Sequence, residues 1–167
     1  TTLIMTLLHD ITKLLHFADS KELEYIRIGT CGGININSGS IIITDTSYMP
    51  DLSVGYKMHI LGREIIYPTH MNKELNKNIL RCQPAGPAFD IFQGNSIAAD
   101  DFYLGQARFD GAIKPKYDEN KRQEYFKRIM QYNIYNFEME STALAAFCNM
   151  AEIPATMVAV TLLNRMH

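Results

Sequence analysis

The spacing of apolar residues divides the chain into alternating helices and strands. Between residues 3 and 18 the leucines and isoleucine recur three or four positions apart, which predicts an amphipathic helix. The isoleucine run within residues 40–46 is typical of a buried strand. By the same criteria we predict further helices at residues 72–82, 118–132 and 141–151, and strands at residues 25–30, 89–98, 134–138 and 156–163.

Short connections join these elements without dividing the chain. Residues 58–66 are typical of a hairpin that turns near Gly62, and residues 83–89, which contain Pro and Gly, indicate an internal loop. The alternation predicts an α/β fold, an α/β/α sandwich around a mixed, mostly parallel sheet. We interpret residues 1–167 as a single domain. We expect it to be truncated at both ends, because the sequence opens inside a helical pattern and stops just after a strand.

Composition narrows the classes of partner. The 167 residues are 47% hydrophobic and carry a formal net charge of -2 without a long basic run, so we expect no nucleic-acid-binding surface. No apolar run approaches the roughly 18 residues of a membrane span, and we expect no membrane partner. The three cysteines lie far apart and the histidines lack ligand spacing, so we predict no metal site and a reducing, cytoplasmic location.

Residues 27–33, Arg-Ile-Gly-Thr-Cys-Gly-Gly, form a glycine-rich turn after the first predicted strand. Glycines at such a point let backbone N–H groups approach an anion. Arg27 faces away from its isoleucine neighbours and offers a guanidinium that matches phosphate. The spacing is neither the dinucleotide fingerprint nor a P-loop. An ordinary tight turn between two strands is the alternative, and spacing alone favours it.

A second candidate site lies within residues 101–111, where Gln106 and Arg108 flank a small residue in a glycine-bounded loop. A glutamine amide offers a donor and an acceptor together. Uracil presents its N3–H between two carbonyl oxygens, so one amide can bind N3–H and a neighbouring oxygen while an arginine binds the other. The alternative interpretation, two ordinary exposed polar residues, is the stronger one from this segment alone.

The third candidate is residues 137–142, Phe-Glu-Met-Glu-Ser-Thr, between a predicted strand and a predicted helix. Glu140 could accept two hydrogen bonds from the 2′,3′-diol of a ribose. A carboxylate is also favourable at a helix start, so Glu140 could simply cap the helix that follows. The residues leave both roles open.

Four segments together resemble the pyrimidine branch of the nucleoside phosphorylase family, and within it the animal-type uridine phosphorylases. They are residues 26–34 (IRIGTCGGI), 101–112 (DFYLGQARFDGA), 138–141 (EMES) and 160–165 (VTLLNR), in the family's order and spacing. The resemblance extends over nearly the whole chain and implies the nucleoside phosphorylase-like α/β/α sandwich. The pair Gln106 and Arg108 points to uracil rather than to a purine.

The resemblance also implies the roles of individual side chains. Arg27 and Thr30 would bind phosphate, with Thr30 also near the ribose. Met139 would pack on the sugar and Glu140 would bind its hydroxyls. The uracil ring would be held by six residues, with Arg165 behind the others and acting through water: Phe102, Gln106, Arg108, Leu162, Leu163 and Arg165. The catalytic set would be Arg27, Gln106, Arg108 and Glu140.

The activity implied is that of a transferase, a pentosyltransferase of pyrimidine salvage and nucleoside catabolism. It would convert uridine and phosphate into uracil and ribose 1-phosphate. The resemblance implies no metal and no cofactor, with inorganic phosphate as co-substrate, and a homodimer with shared active sites. The alternatives are a non-catalytic nucleoside-binding protein of the same fold, and a phosphorylase or nucleosidase for another nucleoside.

The sequence departs from the family pattern by two small substitutions and by the absence of several family segments. Ala107 and Asn35 stand where the family commonly has glycine. The family's upstream glycine-rich phosphate loop, second phosphate arginine and cross-subunit histidine have no counterpart in these residues.

Overall fold

The architecture is given by a computed structural model that describes residues 2–86 and 88–166. The helices are α1 (Thr2–Phe17), α2 (Lys73–Arg81), α3 (Glu119–Met130) and α4 (Ser141–Met150), with a short 3₁₀ helix at Leu104–Gln106. The strands are β1 (Tyr25–Gly33), β2 (Ile41–Tyr48), β3 (Tyr56–Ile60), β4 (Arg63–Tyr67), β5 (Ile91–Ala98), β6 (Ile134–Glu138) and β7 (Ala155–Asn164). Pro87, in the predicted loop before β5, lies outside the described residues, as do the two terminal residues.

Five strands form one mixed sheet that closes on itself in the order β1-β6-β5-β2-β7. The pairs β1–β7, β2–β5 and β5–β6 are parallel, whereas β1–β6 and β2–β7 are antiparallel. The hairpin β3–β4 forms a separate two-stranded sheet. The predicted α/β class and the mixed, mostly parallel sheet are confirmed. The closure was not predicted, because strand periodicity does not specify which strands pair.

Side-chain caps explain where two of the helices begin. The Asn72 carboxamide oxygen accepts a hydrogen bond from the backbone N–H of Leu75 (2.8 Å) at the start of α2. The Asp118 carboxylate accepts one from the backbone N–H of Lys121 (3.0 Å) at the start of α3, as predicted. Each bond satisfies a first-turn donor that the helix itself leaves unpaired. None of the helices in residues 2–86 and 88–166 has the length and apolar content needed to cross a membrane.

The buried apolar side chains form two clusters. One joins α1 and α4 to the sheet through Leu8, Leu144, Met157 and Ala159. The other packs α3 against β5 and β6, with Phe126, Ile129, Ile97 and Phe137 fully buried. Burying a side chain of this size contributes about 1.5–3 kcal/mol, so both clusters hold the strand ends in place.

Strand β1 runs further than predicted, through the whole glycine-rich segment. It pairs with β7 as far as Gly33, with a bulge between Cys31 and Gly32. A Cβ atom at Gly29 would collide with the Arg27 guanidinium, and one at Gly32 would collide with that of Arg165. The predicted tight turn is therefore wrong: these glycines lie within the strand, where two arginine side chains pack closely against it.

The two departures from the family pattern both have left-handed backbone. The φ angle is 55° at Asn35, in the turn after β1, and 56° at Ala107, after the 3₁₀ helix. Such angles favour glycine, and asparagine tolerates them better than most residues. Both substitutions therefore retain the local conformation at some cost in backbone strain.

Candidate active site

A cavity of about 260 Å³ lies where β1, β6 and β7 end, beside the 3₁₀ helix. Strands β1 and β7 run parallel with Thr30 opposite Val160, and the end of β1 reaches β6 at Gly32 opposite Phe137. This register brings together three segments that are distant in sequence. The ten residues predicted to form the site all line this one cavity: Arg27, Thr30, Phe102, Gln106, Arg108, Met139, Glu140, Leu162, Leu163 and Arg165.

Arg27 and Glu140 form an ion pair at one side of the cavity. The Nη2 atom of Arg27 lies 2.6 Å from the Oε2 atom of Glu140, and both side chains are mostly buried. The second terminal nitrogen of Arg27, Nη1, approaches the sulfur of Met157 at 3.7 Å. A fixed guanidinium with donors to spare can bind an anion, and a carboxylate beside it can accept hydroxyl hydrogens.

The turn between β6 and α4 is organised by Glu138. Its buried carboxyl group accepts hydrogen bonds from the backbone N–H groups of Glu140 (2.8 Å) and Ser141 (2.9 Å) and from the Ser141 hydroxyl. That hydroxyl also bonds the hydroxyl of Ser47 on β2. The side chain of Glu140 makes no capping bond. The helix start is therefore satisfied by Glu138, which leaves Glu140 to face the cavity.

Burial raises the pKa of Glu138 to about 7, because desolvation outweighs the hydrogen bonds from Ser141 and Glu140. The carboxylate of Glu140 raises it further, while the Arg27 guanidinium acts in the opposite direction. Glu138 is thus a buried acid that titrates near neutral pH at the edge of the cavity.

Gln106 and Arg165 form a second polar pair. The Nη2 atom of Arg165 donates to the side-chain oxygen of Gln106 at 2.6 Å, and both residues are buried. Burial, followed by the nearby charge of Arg108, lowers the pKa of Arg165. The interpretation of Gln106 as an exposed loop residue is therefore wrong. The bond to Arg165 fixes the amide, with both N–H donors and one oxygen lone pair left for a ligand.

Arg108 lies beside two aromatic rings and the carboxylate of Asp110. Asp110 is not among the predicted site residues. Its guanidinium carbon is 4.6 Å from the centre of the Phe102 ring and 4.7 Å from that of Tyr103. Both oxygens of Asp110 accept hydrogen bonds from the guanidinium. Phe102 is 48% exposed and lines the cavity, so its ring is available to pack against a flat ligand.

Two leucines and a cysteine also line the cavity. Leu162 and Leu163, at the end of β7, line the cavity and are 61% and 44% exposed. The buried thiol of Cys31 also borders it, and burial raises the pKa of this thiol to about 12. A thiol with that pKa stays protonated at neutral pH, so it is not a nucleophile.

Sequence reasoning missed two carboxylates that support the predicted residues. Glu138 lies in the quoted segment 138–141, but its helix-capping geometry depends on how the chain turns. Asp110 stands two residues after Arg108, a spacing that carries no signal for an ion pair outside regular structure. Both act on residues that the resemblance did identify.

The arrangement defines the class of protein. The mixed sheet closes on itself and has a ligand-sized cavity where its strands end. Together with the surrounding helices, this sheet forms the nucleoside phosphorylase fold. The chain belongs to the phosphorylase superfamily, whose family model matches residues 20–165.

Within this superfamily, the chain is similar to individual uridine phosphorylases. The chain is 37% identical to uridine phosphorylase 2 of Homo sapiens over 98% of this chain and 51% of that protein. It superposes on the crystal structure of uridine phosphorylase from Schistosoma mansoni in complex with uracil with a TM-score of 0.90 and 30% identity. That match covers 97% of this chain and 56% of the other. The resemblance to animal-type uridine phosphorylases is confirmed.

A third relative is named for the absence of activity. The chain is 30% identical to the inactive uridine phosphorylase B of Schistosoma mansoni, over 98% of this chain and 55% of that protein. The chain thus spans about half the length of the curated relatives that it matches.

Proposed function

We propose that the full-length protein cleaves uridine with inorganic phosphate to give uracil and ribose 1-phosphate. One observation carries the proposal: the Arg27–Glu140 pair and the Gln106–Arg165 pair border the same cavity. The first pair suits a phosphate next to a ribose, and the second suits the polar edge of a base. The names of the relatives and the uracil in the Schistosoma mansoni structure support the same substrate.

The phosphate and sugar end would be formed by four residues. Arg27 and Thr30 hold phosphate, and Thr30 also lies near the ribose. Met139 packs against the sugar, and Glu140 accepts hydrogen bonds from the ribose hydroxyls. Because Arg27 has more donors than Glu140 uses, it can keep this partner while it binds the anion.

The base end would read uracil by its hydrogen-bonding pattern. Phe102 stacks on the ring, Gln106 accepts from N3–H and donates to one carbonyl, and Arg108 donates to the other. Leu162 and Leu163 cover the base, and Arg165 holds the amide of Gln106 in place.

The reaction needs positioning and charge stabilisation. A phosphate oxygen bonds to C1′ as the C1′–N1 bond breaks, and the bonding electrons leave with uracil, which then takes up a proton. Donors at the uracil oxygens stabilise the leaving anion, and the fixed phosphate stabilises the cationic sugar. Phosphate serves as co-substrate, and the scheme uses no metal or organic cofactor. We further propose a cytoplasmic homodimer with shared active sites.

The test is uridine turnover by the full-length protein with and without phosphate, with uracil and ribose 1-phosphate measured as products. We expect both products only when phosphate is present. Uracil without phosphate would indicate a nucleosidase. Uridine that raises the melting temperature but is not consumed would indicate a non-catalytic binding protein; one relative is named as inactive.

The choice of base tests the pocket separately. Cytosine places an acceptor at position 3 and an amino group at position 4, so groups that match uracil would be left unpaired, at about 1–3 kcal/mol each. We expect kcat/KM for cytidine and inosine to fall roughly 10⁴-fold below that for uridine. Gln106→Leu should abolish uridine turnover and also lower the melting temperature, because buried Arg165 loses its acceptor. Equal turnover of cytidine and uridine would contradict this assignment.

A further inference from the structure

Asp110 holds the guanidinium of Arg108 by two parallel contacts. Nε of Arg108 donates to one carboxylate oxygen at 2.7 Å, and Nη2 donates to the other. The side chain of Arg108 is 17% exposed, whereas that of Asp110 is 64% exposed. An exposed carboxylate therefore fixes the plane of an arginine that lines the cavity.

Other contacts restrain the guanidinium and the loop that carries it. It lies against the rings of Phe102 and Tyr103, and the Tyr117 hydroxyl donates to the backbone oxygen of Arg108 at 3.0 Å. The Asp101 carboxylate accepts from the backbone N–H groups of Tyr103 and Gly105, which ties the preceding turn. Arginine has five N–H donors, so the bidentate pair leaves three, two of them on Nη1, for a ligand.

Asp110 also offsets a local excess of positive charge. Arg108 and Arg122 lie close enough to Arg165 for their charges to lower its pKa, and Asp110 acts in the opposite direction. An isolated surface ion pair contributes little to stability. The effect of the Arg108–Asp110 pair is to orient the guanidinium of Arg108.

We propose that Asp110 is a positioning residue that sets base specificity. It fixes Arg108 so that the free donors meet a carbonyl oxygen of the base and oppose an amino group. The inference rests on the proposed function, because it assumes that a pyrimidine base occupies the cavity. A freely moving Arg108 would bind the carbonyl less well and could withdraw from the amino group of cytosine.

The experiment compares Asp110→Ala with the full-length wild-type protein in steady-state kinetics. We expect KM for uridine to rise about tenfold, as for one charge-assisted contact, with kcat changed less and KM for phosphate unchanged. The ratio of kcat/KM for uridine to that for cytidine should fall about tenfold. Asp110→Glu, which can still reach Arg108, should recover part of the ratio. Asp51→Asn is the matched control, because Asp51 is a similarly exposed carboxylate paired with Lys57 away from the cavity.

The outcomes separate this inference from the proposed function. Wild-type protein that does not cleave uridine overturns both. Wild-type protein that cleaves uridine, with Asp110→Ala at unchanged KM and unchanged uridine-to-cytidine ratio, overturns the role of Asp110 alone. A lower KM for uridine in Asp110→Ala also overturns it, since Asp110 would then compete with the base for Arg108. A melting temperature near that of the wild type shows that the variant is folded.

Discussion

Charged side chains around the cavity work in pairs. Arg27 pairs with Glu140, Arg108 with Asp110, and Arg165 with the amide of Gln106. A partly buried guanidinium needs such a partner, because removing a charge from water without one is costly. The same partners fix each arginine in orientation, so the site is arranged before a ligand enters.

Replacing Arg27 with alanine should reduce the response to phosphate. The loss of a charge-assisted contact to the anion costs roughly 2–4 kcal/mol of transition-state stabilisation, about 30- to 1000-fold in kcat/KM for phosphate. Glu140 also loses its partner and repels the anion. Arg63→Ala, at an exposed position of the β3–β4 hairpin, is the control. The measurement is steady-state kinetics with phosphate as the varied substrate. The same kcat/KM for phosphate in Arg27→Ala and in the control would contradict the assignment.

The sequence predicted the residues that line the cavity better than the contacts between them. Resemblance supplied ten lining residues, because the motifs that carry them are short and continuous. The supporting carboxylates Glu138 and Asp110 were not assigned, because their importance comes from burial and from rotamers. For the same reason segment 101–111 by itself favoured an exposed Gln106, whereas its bond to Arg165, 59 positions away, places it in the interior, as its predicted role in the site requires.

At the scale of elements, the turn between β6 and α4 is the most tightly determined part of the site. One buried carboxyl group, that of Glu138, bonds two backbone N–H groups and a hydroxyl within three residues. Ser47 links the turn to β2. This arrangement directs Met139 and Glu140 into the cavity without relying on either of them for the helix start.

Glu138 should make the stability of the protein depend on pH near neutrality. Its pKa is raised from about 4.5 to about 7 in the folded state, so the folded protein binds an extra proton between these values. The free energy of unfolding should therefore fall as pH rises from 5 to 7.5, by on the order of 2–3 kcal/mol. Glu138→Gln should remove most of this slope.

Chemical denaturation at several pH values measures the effect. The pKa of Asp51, Asp101, Asp110 and Glu119 is lowered, so their contributions are lost only in more acidic solution. Glu119→Gln, in the exposed first turn of α3, is the control and should keep the wild-type slope. A Glu138→Gln variant with the same slope as the wild type would show that Glu138 is already ionised at pH 5.

Element type was predictable from periodicity, whereas the course of β1 was not. The helices and strands fall within a few residues of their predicted positions, because apolar spacing and caps such as Asp118 are local signals. The glycine-rich end of β1 was interpreted as a turn, because glycine is usual in turns. Arg27 and Arg165, which pack against those glycines, are brought there by β1–β7 pairing, and that pairing is not local.

At the scale of the whole molecule, apolar side chains remain exposed on α1 and on β1. Leu3 and Phe17 of α1 are 88% and 80% exposed, and Ile28 of β1 is 77% exposed. Monomeric soluble proteins rarely expose large contiguous apolar patches, and larger patches are typical of protein–protein interfaces. This surplus and the family resemblance are the grounds for the homodimer prediction.

The homodimer prediction can be tested together with the composition of each cavity. We expect sedimentation of the full-length protein at micromolar concentration to give twice the chain mass. Dilution below the dissociation constant of the dimer should reduce uridine turnover, since the active sites are shared. Arg27 and Gln106 line one cavity of one chain. A mixture of Arg27→Ala and Gln106→Leu subunits should therefore stay inactive, because every cavity keeps one of the two defects. A fully active monomer would contradict the shared sites, and recovered activity in the mixture would mean that Arg27 and Gln106 act from different chains.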